Sequence, residues 1–163
     1  MQHIDIYTDG SFNPETKSGG YSYILVYKDK DGTVYEKDSS GSYRNSSNNR
    51  MEITAIIYAL KELNYKCSVT IHSDSRFICN MFAEHVIDKW KDCNYRRNGR
   101  RLKNEQLWKN LLIEVAKHDV VFEWIKAQDG NEYNERCDLL AKQAVRELDE
   151  KLCANRKERK AYI

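Results

Sequence analysis

The 163-residue chain predicts an α/β fold on a five-stranded mixed sheet. Two observations carry that expectation. Three extended segments come first, the second and third joined by Lys30-Asp31-Gly32, and helical and extended periodicities then alternate along the rest of the chain. Consecutive strands at the start pair antiparallel, whereas strands separated by helices run parallel, so both pairings must meet in one sheet. No repeat, low-complexity tract or proline-rich linker interrupts the chain, whose one proline is Pro14, and one domain over residues 1–163 is expected.

The elements follow in order. Ile4–Thr8, Tyr21–Lys28 and Thr33–Asp38 read as strands, the last two a hairpin. Met51–Leu63 has helical period, Val69–Ser73 is a short strand and Ser75–Val86 is helical again. A basic segment follows. Asn104–Lys117 is a helix with Leu107, Leu111 and Val115 at four-residue steps, Val120–Ile125 a strand, and Asn134–Lys151 or beyond a closing helix.

Composition excludes several classes. With 40% hydrophobic residues, 18 aromatics and 32% charge, the chain has too much packing material for a disordered protein. No apolar run approaches the roughly 20 residues of a membrane span or follows the basic start of a secretory signal, so no membrane association and a cytoplasmic location are expected. Five cysteines without a Cys-x-x-Cys pair argue against a disulfide framework or a zinc site. The closeness of Met1 to the first strand favours a complete protein.

Net charge is only +2, but from Lys89 to Lys109 eight basic residues stand against two acidic ones, a local +6 that leaves −4 for the rest. Trp90 and Tyr95 interleave with these cations. Cations and aromatics together are the footprint of a surface that grips a phosphate backbone, although a solvated basic loop has the same composition.

Two carboxylates fall on apolar helix faces. Glu52 shares a face with Ile56, Ala59 and Leu63, and Asp138 with Ala141, Val145, Leu148 and Leu152. An ionised carboxylate beside a core costs several kcal/mol unless it is paired or binds a cation. Both sit in a first helical turn, where the macrodipole contributes only about 0.3–1 kcal/mol. Capping or salt bridging remains open for each taken singly. Two aspartates end strands, Asp9 in Thr8-Asp9-Gly10-Ser11 and Asp74 in Ser73-Asp74-Ser75, and either alone fits a turn or a cap. Ligand sites in α/β sheets form at such strand ends. Four converging acids would repel one another without divalent metal, and hard oxygen donors select Mg²⁺ or Mn²⁺. Two such ions about 3.5–4 Å apart clamp a phosphodiester for in-line attack.

The order of these motifs resembles type 1 ribonuclease H. The resemblance runs through Thr8-Asp9-Gly10-Ser11, Gly19-Gly20-Tyr21, Asn48-Asn49-Arg50-Met51-Glu52, Ser73-Asp74-Ser75, Asn104 to Trp108 and Asn134-Glu135-Arg136-Cys137-Asp138. It implies a ribonuclease H-like fold with helices on both faces of the sheet. It also implies an endonuclease that hydrolyses the RNA strand of RNA–DNA hybrids with two Mg²⁺ ions, Mn²⁺ being a substitute, and leaves 5′-phosphate and 3′-hydroxyl ends. By resemblance Asp9, Glu52, Asp74 and Asp138 are the catalytic metal ligands, Asp9 shared by both ions and Asp138 engaging more weakly. Contacts to the RNA 2′-hydroxyl fall on Glu52, Asn48, Arg76 and the backbone of Gly10 and Ser11. Ser47 and Asn104 match a DNA-phosphate site. Residues 88–103 match the family's basic protrusion, with Trp90 as a sugar platform and Arg96, Arg97, Arg100, Arg101 and Lys103 as its cations. A monomer with no obligate protein partner is expected.

One position departs from the pattern. The loop before the last helix usually carries a histidine that assists proton transfer and product release, and Gln128 stands there in Trp124-Ile125-Lys126-Ala127-Gln128-Asp129-Gly130. Glutamine hydrogen-bonds but has no usable pKa, so Asp129 or Glu132 would have to share such a task. Two other readings stay open: a module that binds hybrid or double-stranded RNA without turnover, and a related nuclease or transposase acting on DNA. Cutting of hybrid in Mg²⁺ but not EDTA, with duplex DNA and duplex RNA as controls, separates the three.

Overall fold

The computed structural model describes residues 1–97 and 99–161, apart from the side chains of Arg97 and of residues 158–161. Its elements are β1 (His3–Asn13), β2 (Ser18–Lys28), β3 (Val34–Tyr43), α1 (Asn48–Lys61), β4 (Ser68–Ser73), α2 (Arg76–Ala83), α3 (Val86–Asp92), β5 (Arg96–Arg97), β6 (Arg100–Arg101), α4 (Glu105–Val115), β7 (Asp119–Trp124) and α5 (Glu132–Ala161). Five strands form one sheet in the order β3-β2-β1-β4-β7, antiparallel from β3 to β1 and parallel from β1 to β7.

Strand β2 shows why helices cover both faces. Successive residues of a strand point to opposite sides. Tyr21 meets Tyr58 of α1, while Gly20 lies against α5, where a Cβ would stand 2.3 Å from the Ala141 carbonyl oxygen and 2.9 Å from Val145. The main core therefore lies between the sheet and α1, with Ile6, Ile71, Ile53, Ile56 and Leu60 buried and Trp108 and Leu111 of α4 closing it.

Several boundaries differ from the periodicity, among them the start of α1, which Ser47 caps, so that the helix begins at Asn48 rather than Met51 and Glu52 lies beyond its first turn. The first three strands run longer, because the β1–β2 ladder continues through Asn13↔Ser18 and the β2–β3 ladder through Gly19↔Tyr43. Backbone pairing carries polar residues such as Ser39, Ser40 and Ser42 into a strand that apolar content alone leaves as a loop. The helix expected over Ser75–Val86 stops at Ala83, and His85, with φ of +53°, separates α2 from α3. The last helix begins earlier than Asn134, since Asn131 Oδ1 accepts from the Asn134 amide and caps the first turn. Among the described residues no helix is long and apolar enough to cross a membrane.

Candidate active site

The β1–β4 ladder ends at Tyr7↔His72. Two residues further along each strand stand Asp9 and Asp74, at the point where β1 keeps only β2 as its partner and β4 turns into α2. This is the strand-end position at which α/β sheets open a crevice. Helix α1 brings the third acid. Its N-cap, Ser47, accepts from the Arg50 amide at 3.2 Å, which sets the first turn against β1. The approach is tight, for a Cβ on Gly10 would lie 2.7 Å from the Glu52 amide nitrogen. Only glycine lets the helix end so close.

Asp9, Glu52 and Asp74 consequently offer carboxylate oxygens within 4.8 Å of one another. Asp9 and Glu52 are each only 4% exposed. Burial first, and then the Asp74 charge, push the Asp9 carboxyl up to about 7. Burial and the charges of Asp9 and Asp74 hold Glu52 well above the ordinary carboxylate range. Asp74 rises through burial and the nearby Asp138 charge. The Gly10 amide donates to Asp9 Oδ1 at 2.9 Å, but Glu52 Oε2 is buried with no hydrogen-bond partner. Among the described residues no Lys, Arg or His forms an ion pair with these three acids. An oxygen-only cluster with two of its three carboxylates buried, no counter-charge and one oxygen without a hydrogen-bond partner fits a hard divalent cation.

Asp138 stands outside that trio. Its Oδ2 accepts from Lys142 Nζ at 2.9 Å, so a cation borders the fourth acid, where the sequence reading placed none. It shares a cavity of about 310 Å³ with Asp74, Gln128 and Asn134. Gln128 has φ of +57°, and its loop thus places it at the mouth between β4 and α5.

The other sequence-derived residues fall on two sides of the acids. Arg76 begins α2 with its guanidinium 4.1 Å above the Trp124 ring, and the Trp124 indole N–H donates to the Asp74 carbonyl oxygen at 3.2 Å. Asn48 is exposed at the start of α1, with Gly10 and Ser11 half-buried beside it in sequence order on β1. Asn104, with φ of +62°, precedes α4 without capping it; its Oδ1 instead accepts from Arg50 Nη1 at 3.0 Å, which ties α4 to the start of α1. The basic segment folds as α3 followed by a hairpin that pairs Arg96 with Arg101 and Arg97 with Arg100. Trp90 packs edge-on to Trp108 at 5.3 Å, and both border a cavity of about 600 Å³ with Arg100, Arg101, Lys103 and Asn104. The Arg97 side chain lies outside the described residues, as does the end of the charged tail from residue 158 onward.

Two residues of the site escaped the sequence reading. Lys142 stands four positions after Asp138, a helical spacing that signals an ion pair and was legible. Asn134, which the motif ending in Asp138 contains without a role of its own, is 3% exposed with an unpartnered Nδ2.

Comparison with known proteins gives the family. Residues 1–146 match the family described as RNase H. A ribonuclease H of Lachnoclostridium phytofermentans is 43% identical over 145 residues, covering 87% of this chain and 91% of its own. The ribonuclease HI of Helicobacter pylori is 43% identical over 143 residues, covering 87% and 92%. Among solved structures, LC9-RNase H1, described as a type 1 RNase H with the type 2 active-site motif, superposes with a TM-score of 0.80 at 25% identity, over 89% of this chain and 72% of that one. A foamy viral protease-reverse transcriptase solved with an RNA/DNA hybrid shares the fold, with a TM-score of 0.74 at 21% identity over 88% of this chain and 20% of that one. With its five-stranded mixed sheet, its strand-end acids and relatives of matching length, the chain belongs to the RNase H family of endoribonucleases.

Proposed function

We propose that the chain hydrolyses the RNA strand of RNA–DNA hybrids by a two-metal-ion mechanism, leaving 5′-phosphate and 3′-hydroxyl ends. The observation that carries this reading is the cluster of buried Asp9 and Glu52 with half-buried Asp74, together with the unpartnered Glu52 Oε2. These three, with Asp138, are the residues that would hold two divalent ions, Mg²⁺ by preference and Mn²⁺ as a substitute. When bound, such ions supply an activated water and stabilise the departing oxygen of an in-line displacement.

The chain's own residues position the hybrid. The Trp124 ring under Arg76 fixes that guanidinium beside Asp74, from where it reaches the RNA strand together with Asn48, Glu52 and the Gly10-Ser11 backbone. On the other side, the cavity bordered by Trp90, Arg100, Arg101, Lys103 and Asn104 takes the DNA strand, with Ser47 and Asn104 at a phosphate. Gln128, at the mouth of the cavity it shares with Asp138, offers hydrogen bonds there but no proton. A fold relative solved on an RNA/DNA hybrid supports the choice of substrate.

The test is incubation of end-labelled hybrid with the protein in Mg²⁺ and in EDTA, with duplex DNA and duplex RNA alongside. Internal cuts in the RNA strand of the hybrid, in Mg²⁺ only, are expected. Binding without cutting would replace this reading with that of a hybrid-binding module.

A further inference from the structure

Apart from the acids and the arginine hairpin, two clefts share the side chain of Arg44. The larger, about 230 Å³, lies where the end of β3 meets α1 and α4, and Arg44, Arg50 and Lys61 border it together with Tyr43 and Tyr58. The smaller, about 200 Å³, is bordered by Arg44, Leu152, Asn155 and Arg156. No carboxylate lines either. Among the described residues, none of Arg44, Arg50, Lys61 and Arg156 has an ion-pair partner. Cations that share two adjoining clefts repel one another unless an anion sits among them.

A clamp in α5 holds this arrangement. The Asp149 carboxylate accepts from the Ser18 hydroxyl at 2.5 Å and from Asn13 Nδ2 at 3.0 Å, which pins the helix to the turn between β1 and β2. The helix continues past this anchor and brings Arg156 to Arg44. Arg156 comes from beyond residue 146, where the family match ends. At the other end, Arg50 joins the larger cleft to Asn104 through its 3.0 Å hydrogen bond. The path of cations thus runs from Arg156 through Arg44 and Arg50 to the residue placed at a DNA phosphate.

We propose that the two clefts sharing Arg44 bind backbone phosphates of the substrate duplex beyond the hydrolysed segment, so that the extension of α5 lengthens the nucleic-acid footprint. The inference rests on the hybrid reading above. Arg44 and Arg156 border neither the acid cluster nor the cavity of Asp74 and Asp138.

The experiment is salt-dependent binding of hybrids shortened stepwise from either end to catalytically silent Asp9→Asn protein with and without Arg44→Ala/Arg156→Ala, with cleavage rates measured for the double variant in the otherwise wild-type protein. Loss of two phosphate contacts flattens the log–log salt slope by about 1.4–1.8, and affinity for the longest hybrid should fall roughly tenfold or more at low salt, while turnover at saturating hybrid stays unchanged. Trimming from one end only should bring variant and parent together. Arg44→Lys/Arg156→Lys should keep most of the slope, and Lys28→Ala/Lys30→Ala, which removes the same net charge from the exposed end of the β2–β3 hairpin, should leave it unaltered. An unchanged slope for the alanine pair, or an equal loss in the Lys28/Lys30 control, overturns the inference while the parent still binds and the wild type still cuts. A parent that fails to bind hybrid overturns the hybrid reading itself.

Discussion

Lys142 binds the carboxylate of Asp138 one helical turn back along α5, with Nζ 2.9 Å from Oδ2. Of the four acids proposed as metal ligands, Asp138 is therefore the one with an ion-pair partner among the described residues. A divalent ion that engages it must displace or share with Lys142. The pair is partly exposed, and such i,i+4 pairs contribute only about 0.3–0.5 kcal/mol. Lys142→Met should lower the half-saturating Mg²⁺ concentration for cleavage by about twofold. A Mg²⁺ titration of initial rates measures this, and a rise in that midpoint would mean that Lys142 helps to bind substrate instead.

Asp9→Asn and Asp74→Asn should each abolish cleavage and leave hybrid binding largely in place, because the loss of a metal-ligating charge leaves the basic cavity around Trp90 intact. Retention of more than about a tenth of the wild-type turnover by either variant would overturn the assignment.

Without metal, the same acids cost stability in a pH-dependent way. The Asp9 carboxyl stands at about 7 in the folded chain against an ordinary value of 3.8. Between those values the folded state binds more protons than the unfolded one, so this contribution to stability is full below about 3.8 and is lost as pH rises from there through about 7. In EDTA, the advantage of Asp9→Asn over wild type should be small at about pH 4, grow until about pH 7 and stay level to about pH 8, at a few kcal/mol at most, or several degrees of Tm. Added Mg²⁺ should raise the wild-type Tm and not that of the variant. A variant that melts below wild type at pH 8 in EDTA would deny the crowding of the three acids.

Neutralising Arg96, Arg97, Arg100 and Arg101 together should weaken hybrid binding and flatten its salt dependence, since each phosphate contact contributes about 0.7–0.9 to the log–log slope. Turnover at saturating substrate should change little. The pairing of Arg96 with Arg101 and Arg97 with Arg100 concentrates four cations on one short hairpin, and unchanged affinity at low salt would reduce it to a solvated loop.

Gln128→His places an imidazole at the mouth of the cavity shared by Asp74 and Asp138. General acid–base assistance reaches roughly 10²–10⁴-fold when fully developed, and a gain at or below the lower end is expected here, with a new pH dependence near an imidazole pKa of about 6.5. Single-turnover and steady-state rates, compared with those of Asp129→Asn, decide between a working loop and an inert one. If neither variant alters either rate, the loop has no catalytic part.

The chain's local pattern was enough to put Glu52 and Asp138 on apolar helix faces and Asp74 after a strand, but not to set the element ends: β1 continues past Asp9 to Asn13, and α1 and α5 begin early enough that Glu52 and Asp138 lie beyond their first turns. Glu52 on an apolar helix face, Asp9 after the apolar part of β1 and Asp74 just past β4 are legible because periods of two and 3.6 residues act over a few neighbours. The same reasoning left the polar ends of β1 and β3 as loops, since a ladder partner many residues away, not local composition, keeps Asn13 and Tyr43 in strands. Only the tertiary structure decided which acids meet. The end of the β1–β4 ladder at Tyr7↔His72 and the close approach that Gly10 allows gather Asp9, Glu52 and Asp74 within 4.8 Å. The reach of α5 past Asp149 was equally out of view, because hydrogen bonds from Asn13 and Ser18 aim the helix and bring Arg156 to Arg44. Sequence spacing specifies which face a residue occupies; the distance between two faces is set by strand register and by how closely backbones pack.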